Sequence, residues 1–211
     1  MFSVFFIENN VSFTPEIRPV DSTCKIKEIL ESKTVDEYNQ VIRRCKEVFE
    51  KKTKDYGTAW RILRLPSITD QIFIKAQRIR SIQEKGYQKI PDDVTSEFIG
   101  IVNYCIIALI QIKLAEEYKE EVPVRQILSL YDQVVSDTID LLLNKNHDYD
   151  EAWRDMRISS MTDIVLMKLY RIKQIEDNQG KTIISEGVRS NYQDMMNYAV
   201  FCLIKLNIHE A

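Results

Sequence analysis

Apolar residues recur along most of this chain at three- and four-residue spacings, the signature of helices that each bury one face. The pattern is widest in two segments. Phe98, Ile101, Val102, Cys105, Leu109 and Ile112 predict a helix over about 95–118. Tyr192, Met195, Met196, Ala199, Leu203 and Leu206 predict another over about 187–207. Stripes this broad belong at the centre of a bundle. Further helices are predicted over about 35–52 and 124–144, and from Ser67 and Ser160 to about Glu84 and Asp177. Ser67-Ile-Thr-Asp70 and Ser160-Met-Thr-Asp163 read as S-x-x-D capping boxes opening those last two.

The predicted elements come in two matching sets. Residues 55–64 read DYGTAWRILR, and residues 148–157, 93 positions later, read DYDEAWRDMR, with six of ten positions identical. Trp60 and Trp153, the two tryptophans of the chain, occupy the same place in each copy. At the same offset Tyr38, Asp70, Lys75 and Arg78 answer Tyr131, Asp163, Lys168 and Arg171. After a one-residue slip, NYCIIALI (103–110) answers NYAVFCLI (197–204). A long period present twice indicates a duplicated domain, since a solenoid stacks three or more units. The expected fold is all-α: a tandem-duplicated helical bundle with pseudo-twofold symmetry and about three main helices per half. The expected division is an irregular N-terminal arm over 1–22, a first repeat over 23–122 and a second over 123–211, the repeats sharing one core.

Composition narrows the function. Five glycines in 211 residues fit an all-helical chain, and no Gly-rich phosphate loop or Walker pattern occurs. A net charge of −3 and a pI near 5.6 supply no bulk attraction to nucleic acid or to an anionic membrane. Cys24, Cys45, Cys105 and Cys202 are scattered, and with His147 and His209 they form no zinc pattern. They read as reduced, buried thiols of a cytoplasmic protein. MFSVFFIENN is apolar for seven residues without a basic lead, so no signal peptide is expected, nor any transmembrane run.

The chemistry that could reside here lies on the third helix of each half. Asn191, Asp194 and Asn197 form a narrow polar line along an otherwise apolar helix, and Glu97, Gly100 and Asn103 take the equivalent places in the first half. Buried polar atoms need partners or a ligand. The cationic pairs Lys75/Arg78 and Lys168/Arg171 are counterparts of the right charge. One reading is a cleft in which carboxylates hold Mg²⁺ and the cations neutralise phosphates. The other is an internal network of ion pairs and amides that holds the helices in register. Asp70 and Asp163 have their own explanation as capping acids, and Trp60 and Trp153 as core anchors. Asp55/Tyr56 and Asp148/Tyr149 lie in predicted loops, where repeated polar identity is harder to assign to packing.

KKTKDYGTAWRILR, SITDQIFIKAQRIRSI and EFIGIVNY, with NKNHDYDEAWRDMR, SMTDIVLMKLYRIKQIED and NYQDMMNY, resemble the nucleotide-modification-associated domain family over about residues 35–207. The duplicated form resembles that of Bacteroidetes-type bacteria; single-copy relatives occur in phages. At greater distance the family is similar to MazG-like all-α NTP pyrophosphatases, which use E-x-x-E and E-x-x-D helix motifs to bind Mg²⁺ and release pyrophosphate. The E-x-x-D slot is split here: Glu97-x-x-Gly100 keeps the first acid and Asn191-x-x-Asp194 the last.

That resemblance implies a nucleotide-handling protein, in its fullest form a Mg²⁺-dependent nucleoside triphosphate pyrophosphohydrolase with one composite site between the repeats. Glu97, Asp194, Asp70 and Asp163 would be the metal ligands. Lys75, Arg78, Lys168, Arg171, Asp55, Asp148, Trp60, Trp153, Asn103 and Asn197 would meet the nucleotide. The alternative is a non-catalytic helical binding module whose polar residues form a structural network. The expected partner is a nucleotide, with a homodimer allowed and no membrane or strong nucleic-acid signal.

Overall fold

The computed structural model describes residues 22–87, 93–114, 122–149, 151–179 and 187–207, with side chains excepted over 22–32 and 144–149. Among these residues there are six α-helices, two 3-10 turns and no strand. In chain order they are α1 (Ser22–Tyr56), a 3-10 turn (Ala59–Ile62), α2 (Leu65–Lys85) and α3 (Val94–Lys113). The series repeats as α4 (Val124–Tyr149), a 3-10 turn (Ala152–Asp155), α5 (Ile158–Asp177) and α6 (Val188–Lys205).

α3 and α6 are the heart of the bundle and pack on one another, each backed by its own second helix, α2 or α5. Both are buried on nearly all sides: in α6 every residue from Asn191 to Asn197 is buried. A helix buried all round must be apolar all round or find partners for its polar atoms. α1 and α4 flank this core, and each contacts the third helix of both repeats. Their inward stripes, such as Tyr38, Val41, Ile42, Cys45 and Phe49 on α1, follow helical spacing. Burying one such large side chain contributes roughly 1.5–3 kcal/mol, so neither repeat could lose the other's helix without exposing much of its own core.

The contacts along α2 and α5 trace the pseudo-twofold axis. Lys173 Nζ lies 2.6 Å from Asp70 Oδ1, and Arg80 Nη1 lies 3.7 Å from Asp163 Oδ1. Beside them Thr69 Oγ1 donates to Glu176 Oε1 at 3.1 Å, and Gln83 Nε2 donates to Thr162 Oγ1 at 3.2 Å. Each pair is the image of the other at the 93-residue offset.

Several sequence expectations are corrected. The S-x-x-D capping boxes do not exist: α2 and α5 begin earlier, after Arg64 and Arg157, and neither cap is made by a side chain. Pro66 in the first turn of α2 presets its helical φ, which lets the helix start ahead of Ser67. The acid cap is at α3 instead, where Asp93 accepts from the Ser96 amide at 2.8 Å. α1 starts at Ser22 and carries Asp55 and Tyr56 in its last turn, so the repeated Asp-Tyr lies on helices in both copies. Gly57, at φ +61°, turns the chain out of α1 toward Trp60. α3 is long and apolar enough to cross a membrane by length and composition, contrary to expectation. In the bundle most of its apolar residues are enclosed by neighbouring helices, with Ile99 and Tyr104 partly exposed. The predicted irregular arm, save Ser22, lies outside the described residues.

Candidate functional site

The polar line of α6 resolves into three separate partnerships. Asn191 Nδ2 donates to the Gly187 carbonyl at 2.9 Å, one turn back. Asp194 accepts from Lys168 Nζ at 2.6 Å. Asn197 Oδ1 accepts from the Tyr38 hydroxyl at 2.9 Å. In the first repeat Asn103 Oδ1 accepts from Tyr131 at 3.1 Å, while its amide donates to the Cys45 carbonyl at 2.9 Å. Burial raises the pKa of Tyr38 and Tyr131 above the ordinary phenol value and pushes the Cys45 thiol up to about 12. The two phenols therefore stay neutral and act as hydrogen-bonding parts of the core, and the thiol stays protonated within it.

The repeated lysine meets its acid at different turns in the two halves. Lys168 pairs with Asp194 directly. Lys75 reaches Glu97 Oε2 at 3.0 Å, and Arg78 takes the other oxygen of the same carboxylate. The position matching Asp194 is Gly100, and Lys75 lies across it: a Cβ built there would be 2.6 Å from Lys75 Cε. Only glycine lets the lysine cross the helix surface so closely.

Beside Gly100 opens a cleft of about 460 Å³ between the end of α1, the first 3-10 turn and α3. Phe49, Trp60, Leu63, Ile99, Tyr104 and Ile107 supply apolar and aromatic walls. Lys52 and Lys75 bring positive charge, and no carboxylate is among the described lining residues. Its size and its mix of mostly apolar walls with a few polar groups are those of a small-molecule site.

The second repeat differs at the corresponding wall. Phe201 replaces Ile107 and stacks on Trp153 with ring centroids 4.2 Å apart and planes 6° apart. The Arg154 guanidinium lies 4.4 Å from the centroid of Trp153. Arg154 also bonds Glu151 at 2.6 Å, Glu37 at 2.8 Å and Thr34 at 2.6 Å, tying this turn to α1 of the other repeat. Its carbonyl accepts from Lys205, as the Arg61 carbonyl accepts from Gln111 at 3.2 Å. The repeated Ala-Trp-Arg is thus accounted for in large part by packing.

The remaining residues singled out in the sequence are dispersed. Asp70 and Asp163 have side chains 58% and 61% exposed and pair with Lys173 and Arg80, remote in partnership from Glu97 and Asp194. Arg171 lines a shallow surface groove with Asp163, Met167 and Tyr170. Asp55 is exposed at the end of α1, and the side chain of Asp148 lies outside those described. Of the fourteen candidates, Lys75, Trp60 and Asn103 line the cleft. Sequence reasoning set Gly100 against Asp194 without giving it a place in the site, and it missed Ile107, Phe49 and Lys52. The signal available was the offset itself, which sets Gly100 against Asp194 and Ile107 against Phe201.

The carboxylates do not fit a magnesium centre as they stand. Both Glu97 oxygens are engaged by cations, and Asp194 is held by Lys168. No three His, Cys, Asp or Glu side chains among the described residues form a group that could hold a metal ion. Magnesium takes a near-octahedral set of oxygens, one or two from carboxylates and the rest from water and phosphate. The cations paired with Glu97 and Asp194 compete for those carboxylates.

No curated protein and no solved structure matches this chain. The sequence profile of the family described as nucleotide modification associated domain 1 matches it twice, over residues 52–112 and 145–206. Each match runs from the end of a first helix to the end of a third, and together they cover more than half of the chain. The two repeats are therefore two copies of one domain, and the chain belongs to the nucleotide modification associated domain 1 family.

Proposed function

We propose that this protein binds a nucleotide in the cleft of its first repeat. The single observation that carries the reading is the aromatic-walled cleft with Lys75 laid over Gly100 at its edge. An apolar slot with cations and no acid among its described lining residues suits a ligand that is aromatic at one end and anionic at the other. Lys75 is held in place by Glu97, so its ammonium is positioned before a phosphate arrives. Lys52, exposed on α1, adds a second cation to the lining. The family description independently associates the domain with nucleotides.

A Mg²⁺-dependent pyrophosphohydrolase is the fuller form of this reading, and the acids described here do not support it. Glu97 and Asp194 serve their lysines, and no step is assigned to them. A binding module is the better account of these residues.

Isothermal titration of the whole chain with nucleoside mono-, di- and triphosphates, with and without Mg²⁺, tests the proposal. Pyrophosphate release is measured in parallel. One nucleotide per chain, lost in Lys75→Met, is the expected result. Absence of heat with every nucleotide would overturn it, and release of pyrophosphate would restore the hydrolase.

A further inference from the structure

The two repeats place a tryptophan at the same position and complete its surroundings in opposite ways. In the second, Trp153 is buried and a side chain of the protein itself, Phe201, lies flat upon it, 4.2 Å away and 6° from parallel. In the first, Trp60 is half-buried and forms a wall of the cleft. The residue at the Phe201 position is Ile107, which lines that same cleft and brings no ring to stack. Two turns earlier on α3, Asp194 is replaced by Gly100, and Lys75 lies across the glycine. On the same face of α3, Lys75 takes the place of the lost carboxylate, and the lost ring leaves Trp60 facing the cleft.

The indole nitrogens do not account for the difference. Trp60 Nε1 and Trp153 Nε1 are both buried without a hydrogen-bond partner, so the orphan N–H belongs to the fold of either repeat. What distinguishes the first repeat is the missing ring. Offset parallel stacking is a preferred arrangement for aromatic pairs, and nucleobases use it on aromatic side chains regardless of their identity.

We infer that the ligand of the first-repeat cleft presents a nucleobase that lies parallel on Trp60, in the place Phe201 occupies on Trp153. The inference rests on the nucleotide reading of the cleft and adds to it the recognition element and the stoichiometry. The second repeat carries its own substitute for the base, so the chain takes one ligand at its two tryptophans. The ring stacks on Trp60 and the phosphate end meets Lys75, which Gly100 admits onto the surface of α3.

The test compares ligands with and without a base. Trp153→Phe leaves Trp60 as the sole indole, and its fluorescence is followed while the whole chain is titrated with nucleoside monophosphates or with ribose 5-phosphate. Quenching by the nucleotides, one site by calorimetry, and at least about tenfold weaker binding of ribose 5-phosphate are expected. Ile107→Phe copies the second repeat and should weaken nucleotide binding by at least the same factor with an unchanged far-UV spectrum. The ligand comparison in the unaltered chain decides the matter should that variant not fold. If ribose 5-phosphate binds as tightly as the nucleotides and Trp60 is not quenched, the stacking inference fails while anion binding at Lys75 stands. Two sites per chain would overturn it as well. If neither ligand binds, the nucleotide reading itself fails.

Discussion

The hydroxyl of Tyr38 on α1 donates to Asn197 on α6 at 2.9 Å, and Tyr131 on α4 returns the bond to Asn103 on α3 at 3.1 Å. Each repeat thereby gives a donor to the buried amide oxygen of the other. The exchange explains why Tyr and Asn recur at both copies of the sequence without requiring a ligand at either. It also pins each flanking helix to the opposite repeat, so the two units share a core.

Removing one of these hydroxyls should be costly because its partner cannot reach water. Tyr38→Phe leaves Asn197 Oδ1 without its donor in a site where both residues are buried. Urea unfolding should show a loss of about 1–3 kcal/mol. Nucleotide affinity should not change, since Tyr38 and Asn197 do not line the cleft. A variant as stable as the parent would remove the exchange from the list of stabilising contacts.

Gly100→Ala separates stability from binding. The new Cβ would meet Lys75 Cε at 2.6 Å and Cδ at 2.8 Å, and the flexible lysine, rather than the backbone, would give way. Alanine gains about 1 kcal/mol of helix propensity over glycine, and a partly exposed ion pair contributes about 0–1 kcal/mol. Stability should therefore stay within about 1 kcal/mol of the parent, while nucleotide affinity falls as Lys75 is displaced. Calorimetry showing unaltered affinity would remove Lys75 from the binding site.

Asp194→Asn addresses the metal question directly. Asp194 and Lys168 have side chains 11% and 17% exposed, and the ammonium would lose its counter-charge in a poorly solvated place. Removing one partner of a fully buried pair costs about 3–5 kcal/mol, and the residual exposure of Lys168 should bring this to about 1–3 kcal/mol. A carboxylate that served a metal would behave otherwise. Its loss would abolish Mg²⁺ binding and leave the stability of the metal-free chain equal or higher.

Glu176 should make stability depend on pH, and its image in the first repeat suggests the cure. Burial holds its carboxyl above the ordinary glutamate value against the Thr69 hydrogen bond, and Asp70 and Asp177 push it in the same direction as burial. The folded chain binds this proton more tightly than the unfolded chain does. Stability therefore falls as pH rises from the unfolded-state pKa through the folded-state one. Gln83, at the same place in the first repeat, makes the matching bond to Thr162 with no charge. Melting curves of Glu176→Gln should lie above the parent at neutral pH and lose this component of the pH dependence. A variant that melts lower at pH 7 would show that the charge is stabilising after all.

Periodicity and the internal offset were enough to establish six helices, their pairing as two copies, and the apolar inward faces of α3 and α6. These are properties of local spacing, which a helix converts directly into a face. Helix ends were less legible. Ser67 and Asp70 satisfy a capping pattern, yet Pro66 starts α2 earlier and Asp70 turns to Lys173 on the other repeat. A cap depends on the backbone entering the helix, and that path is set by neighbours as much as by the motif.

The sequence alone could also show that the acids of the two copies disagree, Glu97 and Gly100 against Asn191 and Asp194. It could not show what that disagreement does. Only the folded chain puts Lys75 across Gly100 onto Glu97, Lys168 onto Asp194, and Phe201 flat on Trp153. These contacts join different helices, so no spacing along the chain contains them. The duplicated sequence determined two equivalent frames, and tertiary packing decided that one is filled by its own side chains while the other is left open.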